Sequence, residues 1–526
     1  MNENLNWQKS PDWLTAAQRK LLWGFVAAIV LLRVLIMLQM PLLETTEARY
    51  AEIARKMVET HDWVTPQFDY GVPFWGKPPL HTWLSAAGMK LFGVNHFGAR
   101  IFILVAAGLM FWMLYVWARS IKGRDYALVG TAILASTTLY FLSSAYVMTD
   151  LVMAAGVSLS MAGFYAAVSK RPFNRLWGYL FFVGLGIGML AKGPVAVVLA
   201  ALPIGLWVLL GNRWVDTWKR LPWIEGTLLT CAIFMPWYVA AELKTPGFLE
   251  YFIVGEHLHR FLDSGWGGDL YGNAHSEPRG MIWLFWLAAL LPWSFFLLLP
   301  LRWAGRLWHG IRGESDGWSL YLLCWALSPM LFFTLATNTI ATYVITGLPA
   351  MSFLAIDLWR FARHSASTSG RGLVRLFGAT AVVALCFFLG AYLVFLLELP
   401  AGVKKTEKYV VQQMDAMRGA ESGGLYYFGK RRYSAEFYSG GRARTLGSVD
   451  QLAELLGNGE RDFVCLRRGD LAGMSADFAE RFELVQEFPR SVLYYERELR
   501  SGETTTAEQT RPQAGLPTNR EISHAL

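Results

Sequence analysis

The chain has 526 residues, of which 48 are Lys or Arg and 40 are Asp or Glu; 17% are charged and the formal net charge is +8. Soluble globular proteins carry ~25% charged residues, whereas this chain is 54% hydrophobic and holds 23 Trp. That balance excludes disorder over most of the chain, and repeated apolar stretches of about 20 residues exclude an ordinary soluble enzyme.

The residues up to Gln18 are polar and the first apolar run is long enough to span, so no cleavable signal is expected. Apolar runs predict eleven membrane helices, roughly at 19–40, 101–118, 126–143, 149–168, 176–191, 193–210, 223–241, 281–301, 318–336, 340–359 and 374–397. Runs near 60–100 widen the expectation to eleven to thirteen spans. Two long connections, about 41–100 and 242–280, are rich in aromatics, Pro and Gly. They are expected to lie as amphipathic helices on the membrane interface. From about Leu399 the tail alternates strand-like runs (Leu425–Phe428, Phe463–Leu466, Phe482–Phe488, Ser491–Glu496) with helix-like ones (Val449–Leu456, Ser475–Phe482). The expected organisation is a polytopic α-helical membrane domain over 1–398, a small α/β domain over 399–500 and a disordered tail over 501–526.

Charge sets the orientation. Loops 119–125, 169–175, 212–220, 302–312 and 360–375 each carry three or more Lys or Arg, while 144–148 and 337–339 carry none. The basic loops are therefore expected on the cytoplasmic side, with both long connections and the tail on the periplasmic face of the inner membrane. Short separated clusters of this kind are not a nucleic-acid surface. Cys231, Cys324 and Cys386 fall in apolar spans and Cys465 in the tail, so no disulfide framework is visible.

Ionisable groups at membrane depth are expensive, which makes them candidates for function. They fall in four places: Glu44, Glu47, Arg49 and Glu52 after the first run; Asp150 at the mouth of the fourth; Lys192 in the turn Ala191-Lys192-Gly193-Pro194; and Glu256-His257-Leu258-His259-Arg260, with Lys77 of Gly76-Lys77-Pro78-Pro79. Each has a plainer reading. Arg49 and Glu52 could pair at i,i+3, Lys77 and Lys192 could reach toward headgroups, and two His at i,i+2 do not share a helix face. Asp150 has no basic neighbour in sequence. Taken together, all these groups lie on the same expected side. Several cations with two or more carboxylates suit a phosphate-bearing substrate, the cations holding phosphate and the carboxylates serving the other end. No nucleotide pool exists there, so a sugar donor would arrive on a lipid phosphate.

The stretch Glu47-Ala48-Arg49-Tyr50-Ala51-Glu52, then Lys77-Pro78-Pro79, Leu91-Phe92-Gly93 and Phe97-Gly98-Ala99-Arg100, resembles the bacterial aminoarabinose–lipid A transferases. These lie within the protein O-mannosyltransferase superfamily of lipid-phosphate-sugar-dependent glycosyltransferases. Tyr146 to Asp150, Gly188 to Gly193, Glu256-His257 with Arg260-Phe261, and Thr342-Tyr343 continue the resemblance in order over about 40–360. It implies a helical bundle around an outward-facing cavity and inverting transfer from an undecaprenyl-phosphate sugar. Lys77, Arg260 and Tyr343 would hold the donor phosphate, with Asp150, Arg49 and Lys192 lining the same cavity. Glu47, or Glu44 in its place, would supply a second carboxylate beside Asp150.

Three positions depart from the family pattern. An Asp-Glu pair reads Thr46-Glu47; a Glu suggested as metal partner of the loop histidine reads Gly76; and Lys-Leu-Pro-Thr-Tyr reads Thr339-Ile340-Ala341-Thr342-Tyr343. The second departure argues against a zinc at His257. The acceptor expected first is lipid A or a related lipopolysaccharide. A protein O-glycosyltransferase and a lipid-linked sugar flippase are the alternatives, and no internal repeat supports a secondary transporter.

Overall fold

The first apolar run becomes α1 (Ala16–Gln39), started by a capping box in which the Thr15 hydroxyl accepts from the Gln18 N–H and Gln18 accepts from the Thr15 N–H. The computed structural model describes residues 13–169, 174–262, 266–271, 277–336, 338–363, 370–417, 422–448, 451, 460–467, 469 and 476–497. After α1, the first long connection folds as α2 (Thr46–Thr60), the hairpin of β1 (Gln67–Asp69) and β2 (Val72–Pro73), and α3 (Leu80–Phe92). The chain continues through α4 (His96–Lys122), α5 (Arg124–Ala135), α6 (Thr138–Ser143), α7 (Thr149–Ser169), α8 (Arg175–Lys192), α9 (Val195–Gly211), α10 (Trp214–Arg220) and α11 (Trp223–Lys244). A π-helical segment, Glu250–His259, runs into α12 (Arg260–Leu262). Next come α13 (Met281–Ala289), α14 (Ser294–Leu298), α15 (Ala304–Gly313), α16 (Trp318–Phe333), a 3₁₀ segment Ala341–Gly347, α17 (Leu348–Arg363) and α18 (Gly370–Leu396). The short α19 (Pro400–Val403), α20 (Lys408–Met417) and α21 (Tyr433–Tyr438) follow.

Each of the eleven apolar runs contains helix, but several are interrupted. The run at 126–143 breaks between α5 and α6, where Ser136 and Thr137 turn their hydroxyls back onto the Ala132 and Leu134 carbonyls. The run at 281–301 bends by 112° between α13 and α14. Six described helices are individually long and apolar enough to cross a membrane, or seven if the bent pair is one span; α9 and α16 are shorter apolar helices. This is a multi-span helical membrane protein. Its long apolar helices are fewer than the expected eleven to thirteen because an apolar run does not guarantee one uninterrupted helix.

Packing between helices is strongly aromatic. Trp117, Trp207, Trp318 and Trp325 are fully buried beside Tyr165 and Tyr321. Burying an indole is costly unless its N–H is bonded. Trp207 donates to the Gly317 carbonyl, Trp318 to the Tyr126 hydroxyl and Trp325 to the Thr346 carbonyl. Between α7 and α8, glycine permits backbone contact. A Cβ on Gly156 would lie 2.8 Å from the Gly184 carbonyl oxygen, and one on Gly184 would lie 2.5 Å from that of Gly156.

Within the first connection, α2 is packed into the protein more deeply than an amphipathic surface helix would be. Ten of the fifteen residues of α2 are buried, and its charges are paired within the protein. Arg55 binds Glu52 at 2.7 Å and Glu59 at 2.5 Å, and the Lys56 ammonium donates to the Phe68 carbonyl at 3.0 Å. α21 packs against α2: Tyr433 and Phe437 join the cluster of Ala48, Tyr50 and Phe74, and the Ser434 N–H donates to Glu44 at 2.5 Å. The compact units reflect this. One comprises Met1–Val411 with Arg432–Gly441, the other Gln412–Arg431 with Arg442–Leu526.

The second unit, taken by itself, contains a five-stranded sheet ordered β4-β3-β5-β7-β6, from β3 (Ser422–Phe428), β4 (Ala443–Leu446), β5 (Arg461–Leu466), β6 (Phe482–Glu487) and β7 (Val492–Glu496). β3 runs parallel to β4 and β5, while β7 is antiparallel to β5 and β6. α22 (Ala476–Arg481) contributes Phe478, which packs with Phe482, Val464 and Leu466. Four strands and α22 fall on the runs read from sequence; β4 was not among them. Apart from Gln451, the helix expected over Val449–Leu456 lies outside the described residues, as does the tail 501–526.

Candidate active site

Two loops far apart in sequence meet through one carboxylate. Lys77, just before α3, donates from its ammonium to Glu256 Oε2 at 2.6 Å. Arg260 donates from one guanidinium nitrogen to both Glu256 oxygens at 2.9 Å, one helical turn further on. Glu256 is 9% exposed. Burial pushes its carboxyl up, but Lys77 and Arg260 outweigh that and hold it at about 2. A second Arg260 nitrogen lies 3.6 Å from Asp269.

Beside this group stands a second pair. Lys192 closes α8, and Gly193 follows at φ +91°, a conformation that side chains rarely adopt. A Cβ there would come within 2.6 Å of the Phe252 ring and 3.1 Å of His257. This tight turn brings Lys192 to Asp150 in the first turn of α7, Nζ to Oδ1 at 2.5 Å. The same ammonium lies 4.4 Å from the centroid of the Tyr343 ring. Tyr343 is also within electrostatic reach of Arg260. On α2, Tyr50 feels Arg49, Asp150, Lys192 and Glu256 together. Lys77, Asp150, Lys192, Arg260 and Tyr343 thus share one neighbourhood.

The fold that carries these residues is one that solved proteins share. The structure of ArnT from Cupriavidus metallidurans bound to undecaprenyl phosphate superposes with a TM-score of 0.74 over 91% of this chain and 98% of that one, at 20% identity. In fold, this chain is ArnT-like. An archaeal oligosaccharyltransferase, AglB from Archaeoglobus fulgidus, matches more loosely, with a TM-score of 0.51, 10% identity and coverage of 87% and 70%. The sequence agrees. Residues 23–252 match the dolichyl-phosphate-mannose-protein mannosyltransferase family model. The undecaprenyl phosphate-α-4-amino-4-deoxy-L-arabinose arabinosyl transferase of Erwinia tasmaniensis is 30% identical over 72% of this chain and 66% of its own length. A Pseudomonas fluorescens transferase of the same description is 31% identical over 65% and 58%. The match therefore spans about three fifths to two thirds of these curated relatives.

Other expected residues of the ArnT-like chain are placed differently. Glu47 and Arg100 form a bidentate pair at 2.8 and 2.7 Å with neither side chain exposed, and the Leu43 and Val147 N–H groups also donate to Glu47. Arg49 donates to the Tyr271 carbonyl at 2.6 Å. Glu44 is tied to Ser434, away from the Lys77–Glu256–Arg260 bridge in its bonding. His257 is held by the backbone: Nδ1 lies 2.7 Å from the Phe252 carbonyl and Nε2 3.3 Å from that of Lys192. Burial lowers it to about 4. Among the described residues no three His, Cys, Asp or Glu side chains gather as metal ligands, and the adjacent Glu256 is engaged by cations. This donor set does not fit a zinc, and no step is routed through one.

Two roles escaped the sequence. Glu256 as the shared counter-ion of Lys77 and Arg260 had a partial signal in its i,i+4 spacing to Arg260; Arg100 as partner of Glu47 had none, being 53 residues away. Glu44 yields a pH test. Burial raises it to about 7 against the bond from Ser434, and one of its oxygens is buried without a partner. A carboxyl raised on folding stabilises fully below its unfolded value and loses that contribution as pH rises through the folded value. The melting temperature of the natural protein is therefore expected to fall between about pH 4.5 and 7 relative to Glu44→Gln. Parallel profiles would count against this environment.

Proposed function

We propose that the chain is an inverting glycosyltransferase that moves a sugar from an undecaprenyl-phosphate carrier to a lipid A-type phosphoglycolipid at the periplasmic face of the inner membrane. The observation that carries the reading is the meeting of Lys77, Arg260, Lys192 and Tyr343, drawn from four segments. The ArnT-like fold and the descriptions of the arabinosyl transferase relatives support the donor class, and the motif resemblance to the aminoarabinose–lipid A transferases points to the acceptor. Lys77 and Arg260 stabilise the charge that develops on the leaving lipid phosphate, and attack from the opposite face inverts the anomeric centre. A lipid A phosphate is already an anion and needs no base. A protein Ser/Thr hydroxyl, the second reading, is favoured by the mannosyltransferase family match and requires a carboxylate to take its proton.

The deciding experiment supplies purified chain with a synthetic undecaprenyl-phosphate sugar and either lipid A or an acceptor peptide, and weighs the products by mass spectrometry. A new glycosidic product on lipid A is expected; none on either acceptor would leave a flippase. Lys77→Ala and Arg260→Ala are each expected to lower kcat/KM by about tenfold or more, since a hydrogen bond to a charged group contributes roughly 1.5–3 kcal/mol. Near-natural kinetics in both would remove the phosphate assignment. For orientation, an impermeant thiol reagent applied from outside is expected to label a cysteine placed at Glu250, in the long connection, but not one placed at Arg124 or Arg312. The reverse pattern would place the site on the cytoplasmic side and exclude this donor.

A further inference from the structure

A carboxylate and a phosphate compete for the same donors. Arginine forks and lysine ammonium groups bind either anion through charge-assisted hydrogen bonds of similar length. Here the two cations assigned to the donor phosphate are already bridged by one anion, Glu256, at 2.6 Å from Lys77 and 2.9 Å from Arg260. Its other tie is weak: the Tyr251 hydroxyl lies 3.3 Å from Oε1. Glu256 arises from the same π-helical segment as His257, whereas Lys77 lies 179 positions earlier, so the bridge can part without breaking a helix. π-Helical turns are themselves frequent at functional sites.

The two-oxygen carboxylate does not exhaust the donors of Arg260, whose Nε is buried without a hydrogen-bond partner. The lipid phosphate released as product is a monoester with three terminal oxygens against the carboxylate's two. It can take over the Lys77 and Arg260 bonds and offer an acceptor to Arg260 Nε as well.

We propose that Glu256 is a built-in stand-in for the donor phosphate: it keeps Lys77 and Arg260 together in the empty site, is displaced when the lipid phosphate enters, and returns to help expel the phosphate product. The proposal rests on the donor reading above and adds a residue that sets phosphate affinity. A tethered competitor lowers apparent affinity by the fraction of time it occupies the seat. A purely structural bridge predicts the opposite sign, because removing it would let the two cations drift apart.

The test titrates the full-length detergent-purified chain with undecaprenyl phosphate, following tryptophan fluorescence. Trp75 and Trp266 both lie about Tyr251, with ring centroids 6.1 and 6.0 Å away. Glu256→Gln is expected to bind undecaprenyl phosphate about tenfold more tightly than the natural chain, and product inhibition should strengthen in step. Glu256→Asp keeps the charge but withdraws it by one methylene, and should fall between the two. A folded Glu256→Gln that binds equally or more weakly overturns the proposal. A measurement on the natural chain guards against misfolding of the variants: a structure with undecaprenyl phosphate bound should show Lys77 and Glu256 beyond hydrogen-bond distance. Persistence of their contact overturns the proposal as well. Failure of the natural chain to bind the lipid at all would sink the donor reading together with this one, whereas equal binding by natural and variant chains would sink only this one.

Discussion

Asp150→Asn is expected to retain donor binding and to lose turnover by roughly 10²-fold or more, the scale of acid–base and charge contributions at a reacting centre. The substitution is nearly isosteric, so packing in the first turn of α7 is preserved. What it removes is the charge facing Lys192 at 2.5 Å, in a setting where Asp150 is 3% exposed. It also leaves the Lys192 ammonium buried beside the Tyr343 ring without its carboxylate, which itself destabilises the fold. Thermal melting in detergent separates the two effects. If lost stability alone explains the defect, Asp150→Asn melts well below the natural chain; if Asp150 acts on substrate, turnover falls in a variant that melts close to it. A hydroxyl acceptor should suffer more than a phosphate acceptor if Asp150 removes a proton. Normal turnover by Asp150→Asn would move the reacting centre elsewhere.

Glu47→Gln is expected to act first on stability. Arg100 is fully buried, and Glu47 accepts from it through both oxygens while Arg100 also donates to the Met40 and Pro41 carbonyls. Removing one member of such a pair strands a charge away from water, which costs about 3–5 kcal/mol. Thermal denaturation in detergent should therefore fall well below that of the natural chain, and Glu47→Gln/Arg100→Gln should recover part of the loss. A Glu47→Gln variant that melts normally yet loses turnover by 10²-fold would instead give Glu47 the catalytic role that its place in the first loop suggests.

These two carboxylates show what a sequence can and cannot reveal. Apolar periodicity located the helical runs because burial in lipid imposes it on every residue of a span. It did not locate the interruptions at Ser136 and between α13 and α14, where local hydrogen bonding and chain direction decide. Lys77, Asp150, Lys192, Arg260 and Tyr343 were legible as a group because charge at membrane depth is rare and the family pattern orders them. The partner of each charge was not legible. Asp150 lacked a basic neighbour in sequence, yet the turn at Gly193 delivers Lys192 from 42 residues away. Glu47 had Arg49 and Arg55 close by, but Arg55 goes to Glu52 and Glu59 while Glu47 takes Arg100. Sequence proximity ranks partners poorly where tertiary packing chooses among several cations. α2 was hard to read for the same reason: Glu47, Glu52, Arg55 and Lys56 are buried and find their partners within the protein.

The docking of α21 on α2 bears on how the molecule is made. Glu44 and its backbone partner Ser434 are 390 positions apart. At roughly 5–20 residues per second of translation, the nascent chain holds α2 without that cover for about 20–80 s. During that interval the apolar face that will receive Tyr433 and Phe437 is open to chaperones and proteases. A ribosome stalled before codon 432 therefore yields a membrane-inserted chain marked for removal by the very surface that α21 would have hidden.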